Sequence, residues 1–561
     1  MEAGSPISRF DPRRRPGLAG LAALALGLWT LGTTIAGVMA AHCDLPYADE
    51  WDTWQTWLHQ GYSLGWFISQ HADHRIAATR LLFAIGNGVF DARVWFPQAV
   101  SFAVQAGLAA LLWRLAKRGA AADSLDSPVL GGAIVCCLFS AQQLINFTWG
   151  FQVQFFLVYA SGAAALWALW RATEAAHAMR RRAWTAACLL AAVVCSYSMA
   201  NGVLIWPLLV LMAVRQGAGR PAGGVLGASG VVVLAQYFYG WHTSGLDAAA
   251  PVWRVILFAM ANAGSPLAPP LVALGAGTAF TGFASMGVGG ALLALAAVQW
   301  VRALRAGPAR SGARMVLANF TVFVAAASLA IAAGRAHLPM AAAFRARYMT
   351  PACILWACLL LVAWPRLRSL GPRRVRWAVV VAALVGVACT QVPEIRRSRD
   401  LGNEMRHAAA ALAVGVNDPA VSSILGYTFD YLAPIVEHLK RHKLSIFADE
   451  WTGWTGQSLA TRFQTSLDGS ACHGGVGAVE LVRDAARPGW RLSGWAHDRR
   501  GGSPSRIVLA DPAGRIAGVA LGEGGEWYGY ALPGTPRVMA LAVEPDGKPL
   551  CFLGTQVLAP R

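Results

Sequence analysis

Long apolar runs alternate along the chain with short polar stretches rich in arginine. The runs recur at roughly the length that crosses a bilayer as helix, about 18 residues. They fall near 18–40, 95–113, 129–145, 153–170, 184–199, 202–214, 224–240, 284–301, 315–333, 349–364 and 375–391. This pattern predicts a polytopic α-helical membrane protein with about eleven transmembrane helices. Residues 252–283 are also apolar, but Pro266, Pro269, Pro270 and several glycines break the run. A re-entrant or interfacial pair suits them, which leaves the number of spans open by about two. The first run is too long for the apolar region of a signal peptide, usually about 7–15 residues, and is expected to stay as a helix.

The pattern changes twice after the last run. Residues 392–445 place Leu412, Val416, Leu432, Ile435, Val436 and Leu439 at helical spacing, which predicts short amphipathic helices. From 446 to 561 the period falls to two, as in Arg506-Ile507-Val508-Leu509 and Val538 to Val543. Turn sequences such as Asp511-Pro512-Ala513-Gly514 and Pro545-Asp546-Gly547 separate these runs. A C-terminal β-sandwich of jelly-roll type is the expected fold there. The expected organisation is thus a membrane domain over 1–391 with a first outer loop at 41–94, a helical linker over 392–445, and a β domain over 446–561.

Composition agrees with this class, since the chain is 56% hydrophobic and 14% charged. A formal net charge of +18 would suit a nucleic-acid binder, but the arginines sit in short blocks between apolar runs. Loops on the side of the N-terminus carry Arg9, Arg13, Arg14, Arg15, Arg114, Lys117, Arg118, Arg171, Arg180 to Arg182, Arg215, Arg220, Arg302, Arg305, Arg310, Arg314 and Arg366 to Arg376. Loops on the other side carry only Arg75, Arg80, Arg93, Arg254, Arg335, Arg345 and Arg347. Basic loops stay inside, so a cytoplasmic N-terminus is expected. An odd number of spans then places 41–94 and everything after 391 outside, in the periplasm of a bacterial cell.

Within this frame the stretch Asp44 to Trp54 stands out. It follows the first run directly and holds Asp44, Asp49, Glu50 and Asp52 with Trp51 and Trp54. A partly desolvated carboxylate at a membrane surface is suited to take a proton from a hydroxyl, and tryptophans stack on sugar faces. An ordinary solvated loop with an interfacial aromatic belt has the same composition. Downstream, Gln70-His71-Ala72-Asp73-His74-Arg75 offers two histidines and a carboxylate. A divalent metal is compatible with them but not indicated, and a hydrogen-bonded polar patch is the commoner outcome. Arg335, Arg345, Arg347 and Tyr348 lie on the translocated side, against the charge trend. Guanidinium groups there suit a phosphate, or pair with the acids of the first loop. Asn146, Trp149, Gln152 and Gln154 mark a polar bend between two runs that faces either substrate or neighbouring helices. Phe447-Ala448-Asp449-Glu450-Trp451 echoes Tyr47-Ala48-Asp49-Glu50-Trp51 over too short a stretch to be a repeat, and is expected to be coincidental. Cys472 and Cys551, near the ends of the β domain in an oxidising compartment, are expected to form a disulfide.

Taken together, these motifs resemble the GT-C glycosyltransferases, polytopic enzymes that use polyprenyl-phosphate-linked sugars. Pro46-Tyr47-Ala48-Asp49-Glu50-Trp51, Gln70 to Arg75 and Trp149-Gly150-Phe151-Gln152 are similar to those of a group of bacterial inner-membrane proteins of this type. The resemblance implies that Asp49 is the general base, with Glu50 as alternative or support, and that sugar is transferred with inversion to a glycan or lipid acceptor. It implies that Trp51, His71, His74, Arg75, Asn146, Trp149 and Gln152 bind substrate, and that Arg335, Arg345, Arg347 and Tyr348 steady the leaving phosphate. Asp73 departs from the group's pattern, which has Glu before His-Arg, so a catalytic part for residue 73 does not carry over. Two other readings remain open: a lipid or polysaccharide transporter, which needs ionisable groups buried mid-span, and a non-catalytic envelope protein that presents a glycan-binding β domain.

Overall fold

The structure, a computed structural model, describes residues 17–118, 126–243, 250–306, 312–463, 472–484, 486–498, 501–543 and 549–558. Arg9, Arg13, Arg14, Arg15, Arg310 and the turn Pro545-Asp546-Gly547 lie outside the described residues. The chain divides into two compact units. A helical unit contains Met1–Ala40, Phe67–Leu82 and Pro97–Ser398. A mixed unit contains Ala41–Trp66, Phe83–Phe96 and Arg399–Arg561.

Among the described residues, 10 helices are long and apolar enough to cross a membrane, which fits a multi-pass membrane protein. They include Leu18–Ala41, Trp95–Arg118, Ser127–Thr148, Gly150–Glu174, Thr278–Arg305, Gly312–Arg335 and Ala346–Leu367. The expected runs at 184–199 and 202–214 are not among them. The first lies in helix Ala178–Ser196, whose opening turn carries Arg180, Arg181 and Arg182, and the second is in the shorter apolar stretch Ala200–Arg215. The broken region does qualify, as Val252–Ala273. Its first part, Val252–Gly264, packs so closely on Thr278–Arg305 that a Cβ at Gly264 would meet the Ser285 carbonyl, and one at Gly289 the Met260 carbonyl. Small residues let backbones approach in this way where lipid gives no hydrophobic drive.

A helix that breaks inside an apolar bundle must find new partners for its backbone groups. The break after Ser127–Leu138 shows how side chains supply them. Gln105 Nε2 and Gln143 Nε2 each donate to the Leu138 carbonyl at 2.8 Å, and the Thr34 hydroxyl donates to the Phe139 carbonyl at 2.6 Å. The Ala141 amide donates to Gln391 Oε1 at 3.0 Å. At the next break, Asn262 Nδ2 donates to the carbonyls of Ala343 and Tyr348 at 3.2 and 3.1 Å. Between the first two long helices, β1 (Gln70–His71) and β2 (His74–Arg75) form a minimal hairpin, turned at Ala72 with φ 47°.

The mixed unit holds the remaining strands: β3 (Cys472–Val482), β4 (Gly489–Asp498), β5 (Arg506–Ala510), β6 (Ile516–Glu523), β7 (Glu526–Ala531), β8 (Arg537–Val543) and β9 (Pro549–Val557). They form a single antiparallel sheet in the order β3-β4-β7-β6-β5-β8-β9. Its first and last strands lie against each other, and a disulfide from Cys472 to Cys551 joins them across a Cα separation of 5.8 Å. The result is a nearly closed barrel. Two facing sheets, as in the expected sandwich, would have the same period-two sequence; here one continuous sheet curls until β3 and β9 meet.

Alternation divides the sheet residues cleanly. Ile507 and Leu509 join Leu492, Trp527 and Val538 on one face. Val508 joins Val519, Tyr530 and Leu541 on the other, against Leu425, Leu432, Ile435 and Leu439 of the amphipathic helices. Leu45, Trp51 and Trp54 belong to this same core. The acidic stretch after the first apolar run is therefore built into the C-terminal unit, although composition alone groups it with the membrane domain. Trp51 is fully buried. Burying about 150–250 Å2 of tryptophan surface at about 25 cal/mol/Å2 contributes about 4–6 kcal/mol of transfer free energy.

Replacing Cys472 and Cys551 by serine should lower the stability of the mixed unit by about 2–4 kcal/mol. Thermal unfolding followed by tryptophan fluorescence, with and without reductant, measures this. Reductant should shift the native protein and leave the double variant unchanged.

Candidate functional site

The acidic stretch forms the helix Asp49–Gln60, with Asp49, Glu50 and Asp52 in its first turn. Negative charge there complements the helix dipole. The helix is entered through Ala48, whose φ of 46° and ψ of −123° is strained for a residue with a Cβ. Ala48 has no side-chain acceptor for the helix start, and Glu50 supplies one backwards, its Oε2 accepting the Tyr47 amide at 3.0 Å.

The four acids separate by their partners. Asp44 accepts from Arg93 Nη1 and from the Val94 amide, both at 2.9 Å, and lies 3.6 Å from His42 Nε2. Burial raises its carboxyl, but hydrogen bonds and charge from His42 and Arg93 outweigh that and hold it below the ordinary carboxylate range. Glu50 is buried under its Tyr47 bond. Asp52 accepts the Tyr431 hydroxyl at 2.6 Å and also bonds Tyr427. The two tyrosine rings stack with centroids 4.8 Å apart. Burial, then the bond to and charge of Asp52, keep both phenols protonated. Asp49 occupies the first helical position, half-buried. Trp51 packs in the core rather than presenting its ring to solvent.

The echo at 447–451 has a structural task. Arg93 reaches Asp449 Oδ1 through Nη2 at 2.7 Å while Nη1 holds Asp44, so one guanidinium ties the start of the mixed unit to its middle. The Trp451 indole donates to Asp449 Oδ2 at 3.2 Å, and Glu450 stands exposed with Arg462. Strain surrounds this tie: Asp91, Ala92, Lys443 and Ser445 all have positive φ. The role of Arg93 was hidden in the sequence because its partners are hundreds of positions apart. An arginine on the side with few basic residues, between two acidic motifs, was the one available signal.

The helical unit gathers a second group. The Asp73 carboxylate meets Arg335 Nη1 at 3.4 Å, and Arg335 Nε donates to the Tyr348 hydroxyl at 3.2 Å. The Arg347 guanidinium lies 4.9 Å from the centroid of the Tyr348 ring. Asn146 Nδ2 donates to the Arg347 carbonyl at 3.1 Å and to the Thr350 hydroxyl at 2.8 Å. Of the expected phosphate ligands, Arg335 is thus engaged by an acid of the first loop. Arg345 is exposed, and Arg347 Nε is buried without a hydrogen-bond partner among the described residues.

Arg75 is spent on backbone. It donates to the carbonyls of Tyr237, Ile68 and Tyr239 at 2.6, 2.5 and 2.5 Å. His74 Nδ1 accepts the Ala200 amide at 3.3 Å. His71 and Trp149 flank Phe151, with ring centroids at 4.9 and 5.8 Å. Gln152 and Gln154 bury amide oxygens with no partner among the described residues. Buried acceptors without a partner are uncommon in folded proteins. The chain matches no known family model and no curated protein.

Arg93→Ala should destabilise the mixed unit by about 1–3 kcal/mol, because it strands the Asp44 carboxylate away from water. The lowered carboxyl of Asp44 stabilises the fold above its ordinary value of 3.8 and stops doing so as pH falls through its folded value. Urea unfolding at a series of pH values should therefore show a shallower loss of stability below about pH 4 in the variant.

Proposed function

We propose that the chain is a membrane glycosyltransferase of GT-C type. It moves a sugar from a polyprenyl-phosphate carrier to a glycan or lipid acceptor at the outer face of the bacterial inner membrane. The observation that carries this reading is the entry to the acidic helix. Strained backbone is retained where function repays it, and the strained Ala48 directly precedes Asp49. The resemblance of Pro46 to Trp51 to the GT-C motif supports Asp49, the first residue of the acidic helix, as the base.

In the proposed reaction Asp49 takes the proton of the acceptor hydroxyl as that oxygen bonds the anomeric carbon. The bond from that carbon to the carrier phosphate breaks, and the phosphate leaves with the electron pair. The configuration inverts. Charge grows on the departing phosphate, where fixed guanidinium groups help most. Arg345 and Arg347 are assigned to it, with Arg335 and Tyr348 positioning them. The basic loops favour a cytoplasmic N-terminus and an outer acidic helix.

A proton-coupled transporter is less well supported. Among the described residues, the buried charged side chains are Glu50, Arg75, Arg80, Asp126 and Asp418. None of them lies inside a membrane-length helix.

Purified protein given polyprenyl-phosphate sugars and envelope glycan acceptors should transfer sugar. Asp49→Asn should reduce the rate by about 100- to 10,000-fold, the usual share of a general base. Arg347→Ala should raise the KM for the carrier. Full activity in both Asp49→Asn and Glu50→Gln would sink the assignment. Asp449→Asn should retain turnover at a temperature where the variant is folded.

A further inference from the structure

The arginine-rich end of the helical unit contains a cavity of about 410 Å3. It opens between the helices Trp95–Arg118, Thr278–Arg305, Gly312–Arg335 and Met349–Leu367. Arg302, Arg314 and Arg366 line it and are exposed, so they stand at its mouth. No residue lining it is acidic. Its wall is apolar, with Leu317, Leu361 and Val362.

Two features distinguish this cavity from a generic basic rim. Several arginines at this end of the unit are matched by carboxylates. Arg368 and Arg373 lie 3.3 and 3.6 Å from the buried Asp126, and Arg171 lies 2.9 Å from Glu174. Arg366 instead donates to the neutral Gln299 Oε1, and Gln299 is itself buried at 7% exposure. A buried amide thus aims a guanidinium while leaving its charge unspent. Secondly, Pro365 lies within its helix and removes the N–H that would pair with the Leu361 carbonyl. Both residues line the cavity.

We propose that this cavity binds the headgroup of an anionic phospholipid. The phosphate diester would take the guanidinium forks, which match its oxygens in pairs. A headgroup hydroxyl would meet the Leu361 carbonyl, and the glycerol and first acyl carbons would lie on Leu317 and Val362. A basic pocket between helices at the basic end of a bundle is where such headgroups bind. This site is separate from the transfer reaction and stands whether or not that assignment holds.

Native mass spectrometry of the delipidated full chain, given phosphatidylglycerol or phosphatidylcholine, tests this. Phosphatidylglycerol should be retained preferentially. Arg302→Gln/Arg366→Gln should weaken its retention about tenfold or more, since each charged hydrogen bond contributes roughly 1.5–3 kcal/mol. Arg180→Gln/Arg181→Gln, which removes equal charge from an exposed turn elsewhere, should leave retention unchanged. Ala303→Leu keeps every arginine but fills the cavity, and should also weaken retention. Equal retention of both lipids, undiminished binding in folded Arg302→Gln/Arg366→Gln or Ala303→Leu protein, or displacement by soluble glycerol phosphate at matched concentration would each overturn the proposal.

Discussion

Every backbone amide and carbonyl inside an apolar bundle needs a partner, and water is not there to serve. Unbroken helices meet this requirement by themselves. The helical unit breaks them at Phe139 to Gln152, at Met199 to Leu204, at Ser265 to Leu267 and at Met340 to Tyr348. At the first and last of these a side-chain amide or hydroxyl stands in for the missing turn, and at Met199 to Leu204 the His74 imidazole and the Cys195 thiol do so. Gln143, Thr350 and Asn146 form one such chain, with the Thr350 hydroxyl donating to Gln143 Oε1 at 2.7 Å. The same irregular segments carry Asn146, Trp149, Gln152 and the arginines of 345–347. The binding proposed above and helix repair would therefore draw on the same residues, so the type of a polar group in this bundle does not by itself assign it to substrate. Asn146 is the clearest case: its donor is committed to the Arg347 carbonyl and Thr350, while its carbonyl oxygen is buried without a partner among the described residues.

The mixed unit follows a different logic. Its core is conventional hydrophobic burial between a curled sheet and two amphipathic helices. The acidic helix is attached to that core by Trp51 and Trp54 and by the double reach of Arg93. Asp44 and Asp449 share one guanidinium, and Asp52 is held by two phenols rather than by a cation. Asp49 stands half-buried at the first position of the helix, where the macrodipole favours its charge.

Local periodicity made the spans, the amphipathic helices and the strands legible. The membrane-length helices follow the apolar runs wherever those exceed a bilayer's thickness. The run at 184–199 shows the limit, because the helix that contains it begins six residues earlier and carries three arginines in its opening turn. The acidic helix was legible as a cluster of acids with tryptophans, but not its entry. Nothing in Tyr47-Ala48-Asp49 announces a positive φ, since glycine, the usual marker, is absent. Pairings across the chain were out of reach for a single sequence. Arg93 with Asp449, Tyr431 with Asp52 and β3 with β9 leave no imprint on local composition. The echo at Asp449 was expected to be coincidental, and its ionic task with Arg93 could not be read from the sequence. The near-barrel, one continuous sheet that curls until β3 and β9 meet, rests on such long-range contact.

The tie at Asp44 has a consequence for biosynthesis. The Ser445 hydroxyl donates to the Asp44 carbonyl across a sequence separation of 401 residues. At a synthesis rate of about 5–20 residues per second, the acidic helix leaves the ribosome roughly 20–80 seconds before the segment that anchors it. Through that interval Trp51 and Trp54 lack the sheet they pack against. The long wait makes completion of the chain the step that organises its earliest polar turn, so a nascent chain ending in the last membrane helix carries the acids without their scaffold.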